Sequence, residues 1–393
     1  MREYDLGAVI GMALKSQYRD AMFANRDGQD RLKLLMNDMV IEEQLCQMRC
    51  SYCLTEDFNL LMAVPDARLR LTTDRRADWH EILDAYHRQV DSPIMRLSGG
   101  EFFWLKGSTE FVAECSEKYE VVQVITNGAF LTPHRLEALA ELGNVQLCLS
   151  LDGHTLEMNS HRLPPKQHKL FDVIMRHLDH AVELGIPIEI QSVISDVNAT
   201  GQADFAEFLL ERYGRGVMLY FFPVRGETRT THAPPLGDHF APLLERYDEL
   251  SEVLPPRAFV EHIGNQLSTG VRTLRCYATA VTAQLFGQGD VSCCPYAWLK
   301  PMGNIKENPE LIHEQFGKHQ HYDMFMQPRP RFPYCKSCTG PIDVVNLYLF
   351  GNISEQEIAR CAPYAGPRAL ERLRELKSAF TPVFEPAGEP SPR

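Results

Sequence analysis

The sequence predicts an α/β protein whose core is a parallel sheet of repeated β/α units. Between residues 39 and 224, short apolar runs alternate with segments of helical periodicity, the pattern of strands joined by crossover helices. Cap residues bound these segments: Thr132, Pro133 and Gly143 stand in the order of an N-cap, a first helical residue and a C-terminal stop. The chain has 393 residues, enough for two or three domains of about 150 residues each.

Six predicted strands make a partial (β/α)6 TIM-like barrel, with the site expected at the strand C-terminal ends. The strands cover 39–45, 94–97, 121–125, 145–151, 188–194 and 217–222, and the first ends directly at Cys46. The first crossover helix shows apolar residues at i, i+3, i+4 and i+7, namely Trp79, Ile82, Leu83 and Tyr86. Further helices are predicted over 171–184 and 205–213.

The rest of the chain differs from this region in composition and in its secondary-structure pattern. Residues 1–38 are interpreted as an N-terminal extension, 39–235 as the barrel and 236–269 as a proline-containing linker with one short helix over 243–250. Residues 270–345 carry cysteines, glycines and short strands, and 346–393 are expected to form terminal helices over 354–362 and 368–378 followed by a tail.

Charge and composition narrow the function classes. The net charge of −12 would repel phosphate backbones, so nucleic acid is not expected as a partner. No apolar run approaches the ~20 residues of a membrane span, and the N-terminus shows no secretory signal. We therefore expect a cytoplasmic protein that does not associate with a membrane. In that compartment the eleven cysteines are expected to bind metal or do chemistry.

Three cysteines lie close together in the sequence: Cys46, Cys50 and Cys53 form C-x3-C-x2-C. Three thiolates leave one iron of a [4Fe-4S] cluster open to an external ligand. A structural zinc ion would need a fourth ligand, and no histidine stands at the right spacing. An iron–sulfur cluster is therefore the favoured interpretation.

With this triad, the chain resembles the radical S-adenosylmethionine (SAM) superfamily, in which these cysteines follow the first barrel strand. Further motifs agree in order: a Gly-Gly-Glu after the second strand, Thr-Asn-Gly after the third, and Ser-Leu-Asp-Gly after the fourth. The resemblance implies that SAM, bound at the first cluster, is cleaved to a 5′-deoxyadenosyl radical that abstracts a substrate hydrogen atom. It also implies the SAM-binding residues, which are Tyr52, Gly99, Gly100, Glu101, Asn127, Ser150, Asp152, Arg162 and Gln191.

A second cysteine group resembles the auxiliary cluster domain, called twitch or SPASM, of some superfamily members. The resemblance implies a small β-hairpin-plus-helix unit with a second [4Fe-4S] cluster on Cys276, Cys294, Cys335 and Cys338. Gly289 would allow the hairpin turn. Zinc stays an alternative here, and so does Cys293 in place of Cys294.

An auxiliary cluster can accept the electron of a substrate radical. The resemblance therefore implies an oxidoreductase that dehydrogenates a sugar or aminocyclitol-like natural-product intermediate, supplied with electrons by a flavodoxin or ferredoxin. The alternative is a peptide maturase that forms a crosslink or inverts a stereocentre. An epimerase would need a thiol hydrogen donor, for which Cys293 and Cys148 are candidates, and an electron-transfer protein without catalysis is a third class.

Overall fold

The computed structural model describes residues 25–42, 45–53, 71–163, 165–224, 235–274, 276–294, 301–325 and 338–384. Its strands are β1 Leu32–Lys33, β2 Met36–Ile41, β3 Val90–Asp91, β4 Ile94–Gly99, β5 Val121–Thr126, β6 Val145–Ser150, β7 Ile188–Ile194, β8 Val217–Pro223, β9 Thr282–Phe286, β10 Asp290–Ser292 and β11 Gly303–Asn304. β1 pairs with β3, and the others form one nine-stranded sheet in the order β11-β10-β9-β2-β4-β5-β6-β7-β8.

From β2 to β8 the pairings are parallel and helices join the strands, as predicted for a partial α/β barrel. The helices are α1 Arg76–His87, α2 Ser108–Ser116, α3 Pro133–Glu141, α4 Lys169–Glu183, α5 Gln202–Tyr213, α6 Gly237–Glu245, α7 Tyr247–Leu250, α8 Arg257–Thr269, α9 Ala278–Val281, α10 Leu311–Gln315, α11 Gln320–Phe325, α12 Ile342–Leu349, α13 Glu355–Ile358 and α14 Pro367–Phe384. Within the described ranges, no helix is both long and apolar enough to cross a bilayer.

The first strand of the barrel differs from its prediction. β2 spans Met36–Ile41 rather than 39–45, and each of its residues has a partner on β4, the last pair being Ile41 and Gly99. Glu42 then adopts a left-handed backbone conformation with φ 49°, which ends the strand. Cys46 is therefore placed on a loop beyond the strand and not at its end.

The segment 236–269 is not the linker that its prolines indicated. It forms the helices α6, α7 and α8, and α8 packs on both α6 and β8. Pro256 directly precedes α8, at the N-cap, where its missing N–H costs nothing. The chain before α8 also reaches the sheet, because the Leu219 N–H donates to the Val253 carbonyl at 2.7 Å.

The cysteine-bearing hairpin is continuous with the barrel sheet. β9 runs parallel to β2 from the pair Met36 and Thr282 to the pair Val40 and Phe286, and then turns antiparallel into β10. Gly289 makes this turn with φ 101°, as its predicted role requires. β2, which leads to the first cysteine group, thus lies between β4 and β9, and β10, which leads to Cys293 and Cys294, is the next strand beyond β9.

The inside of the barrel carries a buried polar layer at mid-height. Arg96 on β4 donates to Asp38 on β2 at 2.9 Å, and both side chains are buried. The bottom of the barrel is covered by residues near the C-terminus: the Ala362 carbonyl accepts from Gln146 at 2.9 Å, and Cys361 is fully buried beside Tyr220. The full burial of Cys361 supports a packing role for its side chain.

Candidate active site

The first cysteine group lies on one loop at the C-terminal edge of the sheet. Cys50 and Cys53 are both close enough to raise the pKa of the Cys46 thiol, Cys53 also raises that of Cys50, and Cys53 is exposed. Burial raises the pKa of Cys46 to about 12 and that of Cys50 to about 11, so these thiols are neutral without a metal. Among the described residues, no three His, Cys, Asp or Glu side chains converge in metal-binding geometry.

Two glycines let this loop lie directly on the end of β4. A Cβ on Gly99 would stand 2.1 Å from the Ile41 carbonyl oxygen, and a Cβ on Gly100 would stand 2.3 Å from that of Leu45. The Glu101 N–H donates to the same Leu45 oxygen at 2.8 Å. The glycine pair therefore sets the path of the backbone immediately before Cys46.

The Glu101 carboxylate joins the ends of two strands. It accepts from the Thr126 hydroxyl at 2.7 Å, from the Asn127 N–H at 2.7 Å and from the Phe103 N–H at 3.1 Å. Glu101 is buried, and burial raises its pKa despite these donors. Three protein donors already occupy most of the hydrogen-bond acceptor capacity of this carboxylate, so its structural role is to hold the ends of β4 and β5 together.

Asn127 connects this edge to the cysteine loop. Its side-chain oxygen accepts from Gln47 at 3.1 Å and from the Ala129 N–H at 3.0 Å, while its amide group lies 3.7 Å from the Cys46 sulfur. The Met48 N–H donates to the same sulfur at 3.4 Å. Cys46 thus has two N–H donors that would stabilise a thiolate.

A buried trio ties the other side of the loop to β6 and β7. The Tyr52 hydroxyl donates to Asp152 and accepts from Arg162 at 2.9 Å, and Arg162 lies 4.0 Å from Asp152. The Val193 N–H donates to Asp152 at 2.9 Å. Burial raises the pKa of Asp152, and the Arg162 guanidinium opposes that shift. Tyr52, Asp152 and Arg162, predicted as separate SAM contacts, are therefore brought together in one network.

Ser150 and Gln191 are cross-strand neighbours on β6 and β7, and both are partly exposed. They share strand parity with Cys148 and Glu189, which lie one layer deeper. Cys148 is fully buried and makes a hydrogen bond to Glu189, and burial, followed by this carboxylate, raises the pKa of the thiol well above its usual value. Its position inside the barrel agrees with the parity of β6.

The second cysteine group is partly assembled. Cys276 and Cys338 are near enough for the Cys338 thiol to raise the pKa of Cys276, although burial is the main cause of the rise to about 11. Cys293 and Cys294 follow β10 directly and are both buried, and the choice of ligand between them stays a prediction. Cys335 lies outside the described residues.

An ion pair that the sequence did not reveal joins the two segments carrying Cys276 and Cys338. The Arg272 guanidinium donates to Asp343 through both terminal nitrogens, one at 2.9 Å, and to the Cys338 carbonyl at 2.5 Å. Asp343 also accepts from Asn346 at 2.7 Å, and Asn346 in turn accepts from the Tyr277 N–H at 3.0 Å. Although burial opposes it, Arg272 holds the pKa of Asp343 below its usual range.

A family model described as the radical SAM superfamily matches residues 44–207. The chain carries a radical SAM domain. The GTP 3',8-cyclase of Rhodococcus opacus (strain B4) is 28% identical over 195 residues, 49% of this chain and 52% of that protein. The sporulation killing factor maturation protein SkfB of Bacillus subtilis (strain 168) is 25% identical over 162 residues, 41% of this chain and 36% of that protein. The chain thus spans about half or less of the length of these two curated relatives.

Solved structures agree on the fold of the radical SAM domain and its surroundings. The crystal structure of Streptococcus suis SuiB bound to S-adenosylmethionine has a TM-score of 0.53 at 15% identity and covers 73% of this chain and 67% of SuiB. The structure of anSMEcpe with bound AdoMet has a TM-score of 0.55 at 14% identity and covers 88% of this chain and 98% of that protein. The fold of this chain is therefore similar to that of both proteins.

The residues of this chain suit the cofactors that the superfamily implies. Three soft thiol ligands on one loop, of which Cys53 is exposed, match an iron site that keeps a position open. The close approach at Gly99 and Gly100 leaves no room for side chains between the loop and β4. The donors around Cys46 and the polar side chains of Ser150 and Gln191 face the same end of the sheet.

Proposed function

We propose that this chain is a radical SAM oxidoreductase with two [4Fe-4S] clusters, which removes two electrons from a substrate carbon. The observation that carries the proposal is the arrangement of the cysteines. One group lies on the loop after β2, and two members of the second group are held together by the pair of Arg272 and Asp343. Both groups adjoin one continuous sheet, because β9 pairs directly with β2.

Each part of the site has a proposed task. Cys46, Cys50 and Cys53 would hold the first cluster, and Cys276, Cys338, Cys335 and either Cys294 or Cys293 would hold the second. Gly99, Gly100, Asn127, Ser150 and Gln191 would line the SAM site. Direct contact of Glu101, Asp152, Arg162 and Tyr52 with SAM stays a prediction. Their hydrogen bonds support an additional task, which is to fix the cysteine loop and the strand ends around the cofactor.

When bound, the first cluster and SAM supply a 5′-deoxyadenosyl radical. Transfer of one hydrogen atom from a substrate C–H to that radical would give 5′-deoxyadenosine and a substrate radical. Loss of one proton from the substrate radical, and of one electron for which the second cluster would be the acceptor, would complete a two-electron oxidation. The protein must orient the C–H and exclude water. Cys148 is fully buried and bonded to Glu189, which supports a packing role rather than hydrogen donation to a radical.

For the substrate, a peptide is better supported than the sugar-like molecule predicted from the sequence. SuiB has been solved bound to its precursor peptide SuiA, in a structure that matches this chain with a TM-score of 0.54. The anSMEcpe protein has been solved with AdoMet and the Kp18Cys peptide, with a TM-score of 0.51. SkfB, a curated relative, is a maturation protein. We therefore propose peptide oxidation, and a sugar-like substrate is the other outcome of the test.

The test uses the anaerobically reconstituted protein with SAM and dithionite in place of the flavodoxin or ferredoxin expected in the cell. Short peptides encoded beside the gene, and aminocyclitols as the competing class, are incubated separately and followed by mass spectrometry. The proposal expects a peptide product two hydrogens lighter than the substrate, formed one-for-one with 5′-deoxyadenosine. Turnover of an aminocyclitol and of no peptide would replace the substrate class while leaving the oxidation in place.

The matched control is a variant with Cys276→Ala and Cys338→Ala. It keeps the first cysteine loop, so we expect 5′-deoxyadenosine without oxidised product. A product of unchanged mass that gains one solvent deuterium would contradict net oxidation and indicate epimerisation. Loss of that product in Cys293→Ala would then identify the hydrogen donor.

A further inference from the structure

The side-chain amide of Gln191 is oriented by the buried polar groups inside the barrel. Glu189 lies directly below it on β7, and the side-chain amide nitrogen of Gln191 donates to Glu189 at 2.8 Å. Gln123, on β5, donates to the other carboxylate oxygen at 3.1 Å. Because β6 lies between β5 and β7, a contact between Gln123 and Glu189 places both side chains on the concave inner face of the sheet.

Glu189 decides which end of the Gln191 amide faces the cofactor side. Burial raises the pKa of Glu189, and the Arg96 charge opposes that shift. Each oxygen of Glu189 accepts from a side-chain amide, so the amide group of Gln191 points toward the carboxylate and its carbonyl oxygen points away. Within the described part of the chain, no protein group donates to this carbonyl oxygen. Gln191 is partly exposed and pairs in register with Ser150, at the strand ends where SAM is proposed to lie.

We propose that Glu189 is a positioning residue that turns Gln191 into a fixed hydrogen-bond acceptor for a donor group of SAM. Within the nucleoside part of SAM, the matching donors are the ribose hydroxyls and the adenine amino group, since its other polar atoms only accept. Glu189 is only 4% exposed, and burying a carboxylate costs free energy, which supports a specific role for it. A glutamine at this position could donate as well as accept, and it would leave the Gln191 amide free to turn over.

The proposal deepens the SAM-binding part of the proposed function and does not depend on the net reaction. A protein that binds SAM normally but yields no oxidised product would count against the oxidation alone. A SAM affinity that stays unchanged when Gln191 and Glu189 are substituted would count against this inference alone.

A double-mutant cycle on the reconstituted protein tests it, with the dissociation constant of radiolabelled SAM measured by equilibrium dialysis. Gln191→Leu removes the acceptor and should raise that constant roughly three- to tenfold, the effect of one neutral hydrogen bond. Glu189→Gln should raise it less, about two- to threefold, because the amide still points its carbonyl outward part of the time. In the Gln191→Leu background, Glu189→Gln should have no further effect.

Gln123→Met is the matched control. It removes the other hydrogen bond to Glu189 but leaves Gln191 in place, so SAM affinity should stay within about twofold even though the melting temperature falls. An effect of Glu189→Gln that persists undiminished in the Gln191→Leu background would overturn the positioning role. If Glu189→Gln does not fold, Gln191→Leu still tests the acceptor on which the positioning role depends, and an unchanged SAM dissociation constant overturns the proposal.

Discussion

Gly100→Ala should detach the cysteine loop from the sheet. The added Cβ would stand 2.3, 2.5 and 2.9 Å from the carbonyl oxygen, carbonyl carbon and nitrogen of Leu45, all of them backbone atoms that cannot rotate away. Carbon and oxygen atoms rest at about 3.3 Å or more, so Leu45 must retreat by about 1 Å. Leu45 directly precedes Cys46 and accepts the Glu101 N–H at 2.8 Å, so the retreat moves a proposed ligand and weakens that hydrogen bond.

The size of the effect follows from these contacts. Overpacking a well-packed site costs about 1–3 kcal/mol, and the weakened hydrogen bond adds about 1 kcal/mol. We therefore expect a loss of about 2–4 kcal/mol in the free energy of unfolding. More importantly, iron bound per chain should fall from about eight toward about four after reconstitution, because only the first site is displaced.

Iron and sulfide counts, the melting temperature and the rate of 5′-deoxyadenosine formation measure this prediction. Gly28→Ala is the control, since a Cβ there meets nothing within 4 Å. It should retain iron, stability and SAM cleavage. Full iron content and normal SAM cleavage in Gly100→Ala would refute the claim that the glycine pair sets the path of the cysteine loop.

Three further predictions follow from the hydrogen bonds of the site. Asp343→Asn leaves the Arg272 guanidinium buried without its counter-ion, so the free energy of unfolding should fall by about 3 kcal/mol or more and iron should be lost from the second site. The control, Asp248→Asn at an exposed ion pair, should not change the melting temperature. Tyr52→Phe should keep the first cluster's iron but raise the SAM dissociation constant about tenfold, because Asp152 and Arg162 lose their shared hydroxyl; an unchanged constant would exclude that network from SAM binding. Cys148→Ala should retain turnover, and a loss of turnover in this variant would contradict the packing role of the buried thiol.

The later barrel strands could be predicted closely from the sequence. The strand predicted over 188–194 is observed as Ile188–Ile194, and those over 121–125, 145–151 and 217–222 differ from the structure by one residue at one end. All four strands are parallel, β5, β6 and β7 lie inside the sheet and β8 forms its edge, and each is buried enough to appear in the sequence as a predominantly apolar run. The Thr132, Pro133 and Gly143 signals likewise place α3 correctly.

The first strand could not be placed by the same reasoning. Its apolar run continues into the loop because Leu45 is buried as well as Ile41, and periodicity cannot distinguish a buried loop from a strand. The end of β2 depends instead on the left-handed Glu42 and on the close approach of Gly99, a contact between residues far apart in the sequence.

Long-range contacts account for the other differences. The pairing of β9 with β2 joins residues more than 240 positions apart, and nothing in the hairpin's own sequence specifies its neighbour. The ion pair of Arg272 and Asp343 consists of two single charges separated by 71 positions, without a local pattern. The cysteine spacings, by contrast, are local, which is why the first site could be predicted from the sequence alone.

The most direct test of the two-cluster account is the iron and sulfide content of three proteins after anaerobic reconstitution, with the Mössbauer spectrum of each. The account predicts about eight irons for the unmodified protein, and about four each for the variant with Cys46, Cys50 and Cys53 changed to Ala and the variant with Cys276 and Cys338 changed to Ala. Only the second variant should still cleave SAM. About four irons in the unmodified protein, with no loss in the second variant, would contradict the auxiliary cluster and the oxidation proposed from it.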